Sequence, residues 1–325
     1  MSANFIFHIG AAKTGSSAVQ AFLRRNSPAL AELGYIVPNR RLGLTSDITG
    51  EHVWAFQELI NADDGAGLTA RLEQAAELAG AGKTIVTSAE NLSNLGNHKY
   101  FKDICKSHDV RIVLYIRRQD ELLTSAWQQW HCKAEADFGA WLVRGLKRYG
   151  RWDQVTQDWE SVAGAGRLSV RLFERDAMVG KDLLRDFVSA IGLSEHAERF
   201  DYDIGLVNPS FTDVVTPLVA GNTRLFEDVN DNKFFNFVLK ISPTAFGGGK
   251  KISLISKDMR NSIISYYQDY NLMIKNKFFP ERQTLFSPVD HSKYIYLEGE
   301  PLLNAQMQLL MEMLFRSFEH FESRR

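Results

Sequence analysis

Residues 4–17 read NFIFHIGAAKTGSS, and the way the chain turns at Gly10 decides the fold. Asn4 to Ile9 is a short run of Phe and Ile stopped by Gly10, the pattern of a buried central strand followed by a turn. From Gly15 to Arg25 the spacing is helical, with Pro28 beyond it. The loop between them is suited to an anion. Glycine lets the backbone approach closely, and the next helix offers unpaired N–H groups and the positive end of its dipole. Lys13 adds a full charge, while Thr14, Ser16 and Ser17 add hydroxyl donors. That chemistry favours a phosphate.

Working outward, three more strand-like runs appear: residues 83–88 (KTIVTS), 111–116 (RIVLYI) and 168–173 (LSVRLF). Helical patterns over 68–78 and 99–107 separate them. Strands alternating with helices predict βαβ units and an α/β, P-loop-like three-layer fold, with a central parallel sheet flanked by helices. After about Gly180 the chain reads as mostly helical, over 182–191, 212–226 and 256–274. A last helix starts at Pro301, where Leu303, Met307, Leu310, Met311, Leu314 and Phe318 form a stripe at helical spacing. That stripe is expected to be core. No sharp boundary is visible, so a single domain over 1–325 is expected, with 180–325 as its helical portion. Residues 233–251 mix aromatics, lysines and Gly247-Gly248-Gly249. They read as a surface excursion or as a lid inserted around 230–252.

The 325 residues are 45% hydrophobic and 24% charged, ordinary for a globular chain, and the formal net charge of -1 gives no global field for nucleic acid. No apolar run approaches the ~20 residues that span a bilayer. Phe5 to Ala12 lacks a basic start and is cut short by Lys13, so it reads as a strand rather than a signal peptide. A cytoplasmic protein is expected. Cys105 and Cys132 have neither CxxC spacing nor paired histidines, which argues against structural zinc and for two inert thiols; a disulfide between them stays open.

The loop does not match the G-x-x-x-x-G-K-[ST] P-loop of nucleotide triphosphatases, since its lysine precedes the second glycine. Residues 80–84 (GAGKT) mimic the end of a P-loop, but Glu77 holds the place of the first glycine and a strand follows rather than precedes. They are expected to form an α–β turn. His8 to Ser17 instead resembles the 5′-phosphosulfate loop of the sulfotransferase family, close to H-x-G-x-x-K-T-G-[ST]-[ST], with Gln20 in the following helix included in the match. Two serines stand where that family often has threonines. A second family signature, a strand, an arginine and a serine eight residues later, is matched by RIVLYI, Arg117 and Ser125. An arginine at the carboxyl end of a strand points into the crevice where α/β sheets bind ligands, and its planar fork suits a phosphate dianion. Residues 171–176 (RLFERD), Phe187 to Leu193 and Asn208-Pro209-Ser210 resemble the family more weakly.

The resemblance implies a sulfotransferase that moves a sulfuryl group from 3′-phosphoadenosine 5′-phosphosulfate to a hydroxyl, or less readily an amine. It gives Lys13, Thr14, Gly15, Ser16 and Ser17 to the 5′-phosphosulfate, and Arg117 and Ser125 to the 3′-phosphate. Lys13 also balances charge on the leaving oxygen. No metal is required. Residues 87–90 (TSAE) resemble the segment of glycan-type relatives in which Glu90 is the general base, which points to a carbohydrate acceptor; His52 is a second candidate. Trp127, Gln129, Trp130 and His131 are candidates to line the acceptor pocket, although a core helix face explains the tryptophans as well. Self-association into a homodimer is left open. The alternatives are an ATP-dependent kinase of P-loop type, or a non-catalytic nucleotide- or glycan-binding protein.

Overall fold

The computed structural model describes residues 4–45, 47–205, 214–242, 251–296 and 300–322. In chain order the first elements are β1 (Asn4–His8), α1 (Ser16–Arg25), α2 (Ser27–Glu32), β2 (Tyr35–Ile36), α3 (Val53–Asn61), α4 (Gly65–Ala79) and β3 (Thr84–Ser88). There follow α5 (Lys102–Ser107), β4 (Asp109–Ile116), α6 (Gln119–Gln129), α7 (Phe138–Arg148), α8 (Trp152–Ala163), β5 (Leu168–Leu172) and α9 (Leu183–Ala190). The last are α10 (Thr216–Val219), α11 (Lys233–Ile241), β6 (Lys251–Ser253), α12 (Lys257–Tyr266), α13 (Gln268–Phe278), β7 (Tyr294–Tyr296) and α14 (Glu300–Glu322).

Two compact units are interleaved along the chain. The first comprises Met1–Arg117, Arg151–Val207 and Tyr270–Ser287; the second comprises Arg118–Gly150, Asn208–Asp269 and Pro288–Arg325. This grouping follows neither the expected portion 180–325 nor any composition change, because the chain leaves the first unit at Arg117 and returns to it at Arg151.

The first unit is the α/β fold read from the sequence. Its sheet is five-stranded and parallel throughout, in the order β2-β3-β1-β4-β5. Alternation along β1 sends successive side chains to opposite faces. Ile6 joins a core with Val19, Phe22, Leu184, Phe187 and Val188, under α1 and α9. Phe5 and Phe7 face the other way, where Phe7 meets Phe56 of α3 and Phe101 edge-on, and Phe101 packs on Trp159 of α8. Helices thus cover both faces, as an all-parallel sheet requires. A bidentate ion pair from Arg171 to Asp186, with the Tyr115 hydroxyl donating to the same carboxylate at 2.7 Å, ties β4, β5 and α9 together. Residues 80–84 form the expected α–β turn: α4 ends at Ala79, Gly80 and Gly82 take positive φ, and β3 starts at Thr84.

The second unit is helical, with one small parallel pair, β6 and β7. Asp120, fully buried at the start of α6, is held by Arg118 at 2.7 Å and by Arg260 of α12. Arg260 also stands 4.0 Å from the ring of Tyr294, whose hydroxyl donates to Glu121 at 2.7 Å. Elsewhere Val215, Val219, Phe226, Phe235 and Val238 form an apolar cluster.

Three expectations are corrected here. Within the described part of 212–226, only Thr216–Val219 is α-helix, because Pro217 starts it and Gly221, at φ 68°, turns the chain away. The helix over 256–274 is two helices broken at Tyr267, a buried residue whose hydroxyl donates to the carbonyls of Leu146 and Tyr149 at 2.8 Å. The stripe of α14 is not core: Leu303, Met307, Leu310, Met311, Leu314 and Phe318 are 39 to 64% exposed, while Leu309 and Met313 are the residues that pack on the apolar cluster. Periodicity identified an amphipathic helix and mistook which of its faces is buried. Of the segment read as an excursion or lid, Lys233–Ile241 is α11, anchored by Phe235 and Val238; residues 243–250 lie outside the described residues, as does Asn208-Pro209-Ser210.

Candidate functional site

The carboxyl edge of β1 is where the polar chemistry of the first unit collects. The loop after β1 continues the pairing with β4, since Ile9 donates to Val113, Tyr115 to Gly10 and Ala11 to Tyr115. This holds the loop against the sheet before the chain swings into α1. Gly10 is required there, because at φ 94° a Cβ would lie 2.8 Å from the Cα of Glu90. Gly15 caps α1 at φ 81°, where a Cβ would lie 2.3 Å from Leu183 and 3.1 Å from Phe173. Between them Lys13 takes φ 65°, a left-handed conformation uncommon for a residue with a side chain.

The hydroxyls of the loop divide in function. Thr14 is fully buried and donates to the carbonyl of Ala11 at 2.5 Å, and Ser16 donates to the same carbonyl at 3.1 Å. Both therefore shape the loop from within, rather than presenting hydroxyl protons outward as the sequence suggested. Ser17 is half-buried in the first turn of α1. Ala18 and Val19 both donate to the carbonyl of Gly15, the N-cap, so the helix starts at Ser16. The first-turn N–H groups of a helix have no carbonyl partner within it.

Arg117 brings the second motif to the first. At the end of β4 its Nη1 donates to the carbonyl of Lys13 at 2.9 Å, and its guanidinium stands 5.5 Å from the ring of Phe173. The indole N–H of Trp152 fixes the backbone beneath it by donating to the Arg117 carbonyl at 3.0 Å. Ser125 lies in the second unit, half-buried on α6, and its hydroxyl makes no hydrogen bond among the described residues. Phe173, read from the sequence only as the last residue of a strand, follows β5 directly and so stands at the same sheet edge.

Glu90 follows β3 at that edge. Its Oε2 accepts from the side-chain amide of Gln20, on α1, at 2.8 Å. Burial pushes its pKa up, against hydrogen bonds from its own backbone and Gln20; Glu51 pushes it up further and Lys13 pulls it down. Lys13 is shifted the other way, to about 8: burial first and the charge of Arg117 second outweigh the pull of Glu90. A half-buried lysine after β1 and a half-buried carboxylate after β3, each biased toward its neutral form, sense each other's charge at one sheet edge.

His52 does not have a free ring nitrogen. It is fully buried, its Nε2 hydrogen-bonds the Pro38 carbonyl at 3.1 Å, and its Nδ1 accepts from the Ser88 backbone N–H at 3.1 Å. Its pKa is lowered to about 4, chiefly by burial. It therefore holds the end of β3 rather than standing open as a base. His8 works from beside it: Nδ1 shares a 2.7 Å hydrogen bond with the Ser88 hydroxyl, and burial lowers its pKa to about 3. The strand end that carries Glu90 is thus pinned by two neutral histidines. Gly50, just before His52, passes so close to α1 that a Cβ would meet the Gln20 carbonyl oxygen at 1.7 Å. The histidine segment, Gln20 and Glu90 are positioned as a group.

In the second unit, Trp127 is core, packed edge-on against Phe138, and His131 shares a 2.8 Å hydrogen bond with the Tyr149 hydroxyl. Cys105 and Cys132 are free thiols, and burial pushes both pKa values up to about 12. Among the described residues no helix is long and apolar enough to cross a membrane.

No family model matches this sequence, and no curated protein matches it. Among solved structures, the crystal structure of a sulfotransferase from Alicyclobacillus acidocaldarius is similar at 18% sequence identity, with 64% of this chain and 87% of that chain covered and a TM-score of 0.40.

Proposed function

We propose that the protein is a sulfotransferase that uses 3′-phosphoadenosine 5′-phosphosulfate and transfers the sulfuryl group to a hydroxyl of a carbohydrate or glycoconjugate. The observation that carries this reading is the hydrogen bond from Arg117 to the carbonyl of Lys13. It joins the phosphate loop and the strand-end arginine at one sheet edge, with Glu90 in electrostatic reach of Lys13. A loop, a lysine and an arginine converging there suit an anion at each end of the nucleotide.

In this reading Lys13 and the first-turn N–H groups of α1 hold the 5′-phosphosulfate. Arg117 takes the 3′-phosphate together with Ser125, which is assigned on its eight-residue separation in the chain. Glu90 accepts the proton of the acceptor hydroxyl as its oxygen bonds to sulfur. The bond from sulfur to the bridging phosphate oxygen breaks, and its electron pair stays on that oxygen, where the charge of Lys13 balances it. Gln20 and His52 are positioning residues for Glu90 and for the end of β3.

The test is thermal stability with 3′-phosphoadenosine 5′-phosphate, with ADP, and with ATP plus magnesium. At a hundredfold its dissociation constant a ligand adds about 2.7 kcal/mol to the native state. Stabilisation by the 3′-phosphorylated nucleotide alone, lost in Arg117→Ala, is expected. Stabilisation by ATP plus magnesium alone would overturn the reading in favour of a kinase, and binding of the nucleotide without sulfuryl transfer to any glycan in a screen would leave a binding protein.

A further inference from the structure

Helix α14 is apolar on two faces, and the second unit uses one of them. Leu309 and Met313 pack on the cluster around Phe226 and Phe235. At 3.6 residues per turn, the exposed residues Leu303, Met307, Leu310, Leu314, Phe318 and Phe321 lie roughly 120° around the helix from that pair. Their steps of 4, 3, 4, 4 and 3 residues follow the seam spacing of helices that pair along their length. We propose that this face is the interface of a homodimer in which α14 packs against α14 of a second copy.

Three observations favour a second copy over other occupants. The first is area. With Met311 and Phe315 beside the stripe, and about 100 Å² exposed on each side chain, the face offers roughly 800 Å², the contribution of one partner to a standard stable interface. A patch of that size is larger than a monomer ordinarily leaves in water. The second is shape. A straight apolar stripe along one helix is complementary to itself, as a two-fold interface requires. The third is charge. Helices that lie on membranes carry a Lys- and Arg-rich polar face, whereas α14 holds Glu300, Glu312, Glu319 and Glu322 against the single Arg316, which pairs with Glu312 at 2.9 Å. An anionic lipid surface would repel it.

Sedimentation velocity on the full chain tests this. The wild type is expected to be a dimer at about 10 μM, and Leu314→Lys or Phe318→Lys to weaken association at least about 100-fold. Both side chains are exposed, so the thermal melt of the dilute variants is expected to match the wild type. Should the lysine variants fail to fold, oxidation of a Leu310→Cys/Leu314→Cys variant gives the second readout. With the wild type oxidised in parallel as the control for Cys105 and Cys132, a disulfide-linked dimer formed by the variant alone reports the new cysteines. A wild type that stays monomeric, a dimer indifferent to both lysines, or a Cys variant that forms no cross-link would overturn the proposal. So would a monomeric wild type that cosediments with phosphatidylglycerol vesicles, which would give the face to lipid.

Discussion

Two neighbouring arginines lead into opposite kinds of polar cluster. Arg117, in the first unit, reaches the carbonyl of Lys13; Arg118, in the second, is clamped by Asp120 and Glu121. Around Arg118 and Arg260 the carboxylates of Asp120 and Glu121 supply matching charge. Burial alone would lower the pKa of Arg118, but hydrogen bonding and charge from Asp120 outweigh it and the value is raised. At Lys13 the outcome is reversed, since burial and Arg117 prevail over Glu90 and the lysine is pulled down to about 8. A cluster that settles its own charges is architecture. One that biases a lysine toward its neutral form is, in the proposed reading, the place where a bound anion would restore its charge.

The sharpest test of this contrast removes one carboxylate from each cluster. Glu90→Gln is expected to lower sulfuryl transfer by about 10²- to 10⁴-fold, the usual share of a general base, while nucleotide binding survives; turnover and calorimetry on the same preparation check it. Asp120→Ala is expected to lose about 3–5 kcal/mol of unfolding free energy, because Arg260 and Arg118 are left without their common partner. Urea denaturation reads that loss. If Glu90→Gln cost stability and Asp120→Ala cost only turnover, the two assignments would have to be exchanged.

The histidines beneath the site give a smaller, pH-dependent effect. His8 and His52 have folded pKa values near 3 and 4, below the ordinary value of 6.5. The unfolded chain therefore binds protons first. Their contribution is complete above about pH 6.5 and falls away on acidification through the folded values near 4 and 3, roughly 4 kcal/mol being lost by pH 5 for the pair. Denaturation midpoints from pH 7 down to 5 measure this, and His52→Gln is expected to flatten the slope.

The smallest expected effect is at Lys13. An anion binds its protonated form, so affinity for 3′-phosphoadenosine 5′-phosphate is level below about pH 8 and weakens by up to about tenfold per unit above it. Titration calorimetry from pH 7 to 9.5 checks the break. Its disappearance in Lys13→Met would fix it on that residue.

Much of the first unit was legible because its signals are local. A Phe/Ile run ending at Gly10, a lysine among small residues and a β-rich run ending at Arg117 each state their structure within about ten residues. The short β2, the break at Tyr267 and the small β6–β7 pair had no such signal, being set by partners far along the chain. At the site, the residue types were legible but not their division of labour. That Thr14 and Ser16 turn inward to Ala11, and that His52 has both nitrogens occupied, depends on groups up to 36 residues away.

The sequence by itself determined the α/β character of the first unit and the setting of Lys13 among small and hydroxyl residues between β1 and α1, because hydrophobic period and side-chain type are properties of the chain. Only the tertiary structure decided that Arg117 meets the carbonyl of Lys13, that Gln20 holds Glu90, and that the stripe of α14 faces water. Those outcomes turn on which surfaces remain after every other element has packed, and no local pattern contains that information.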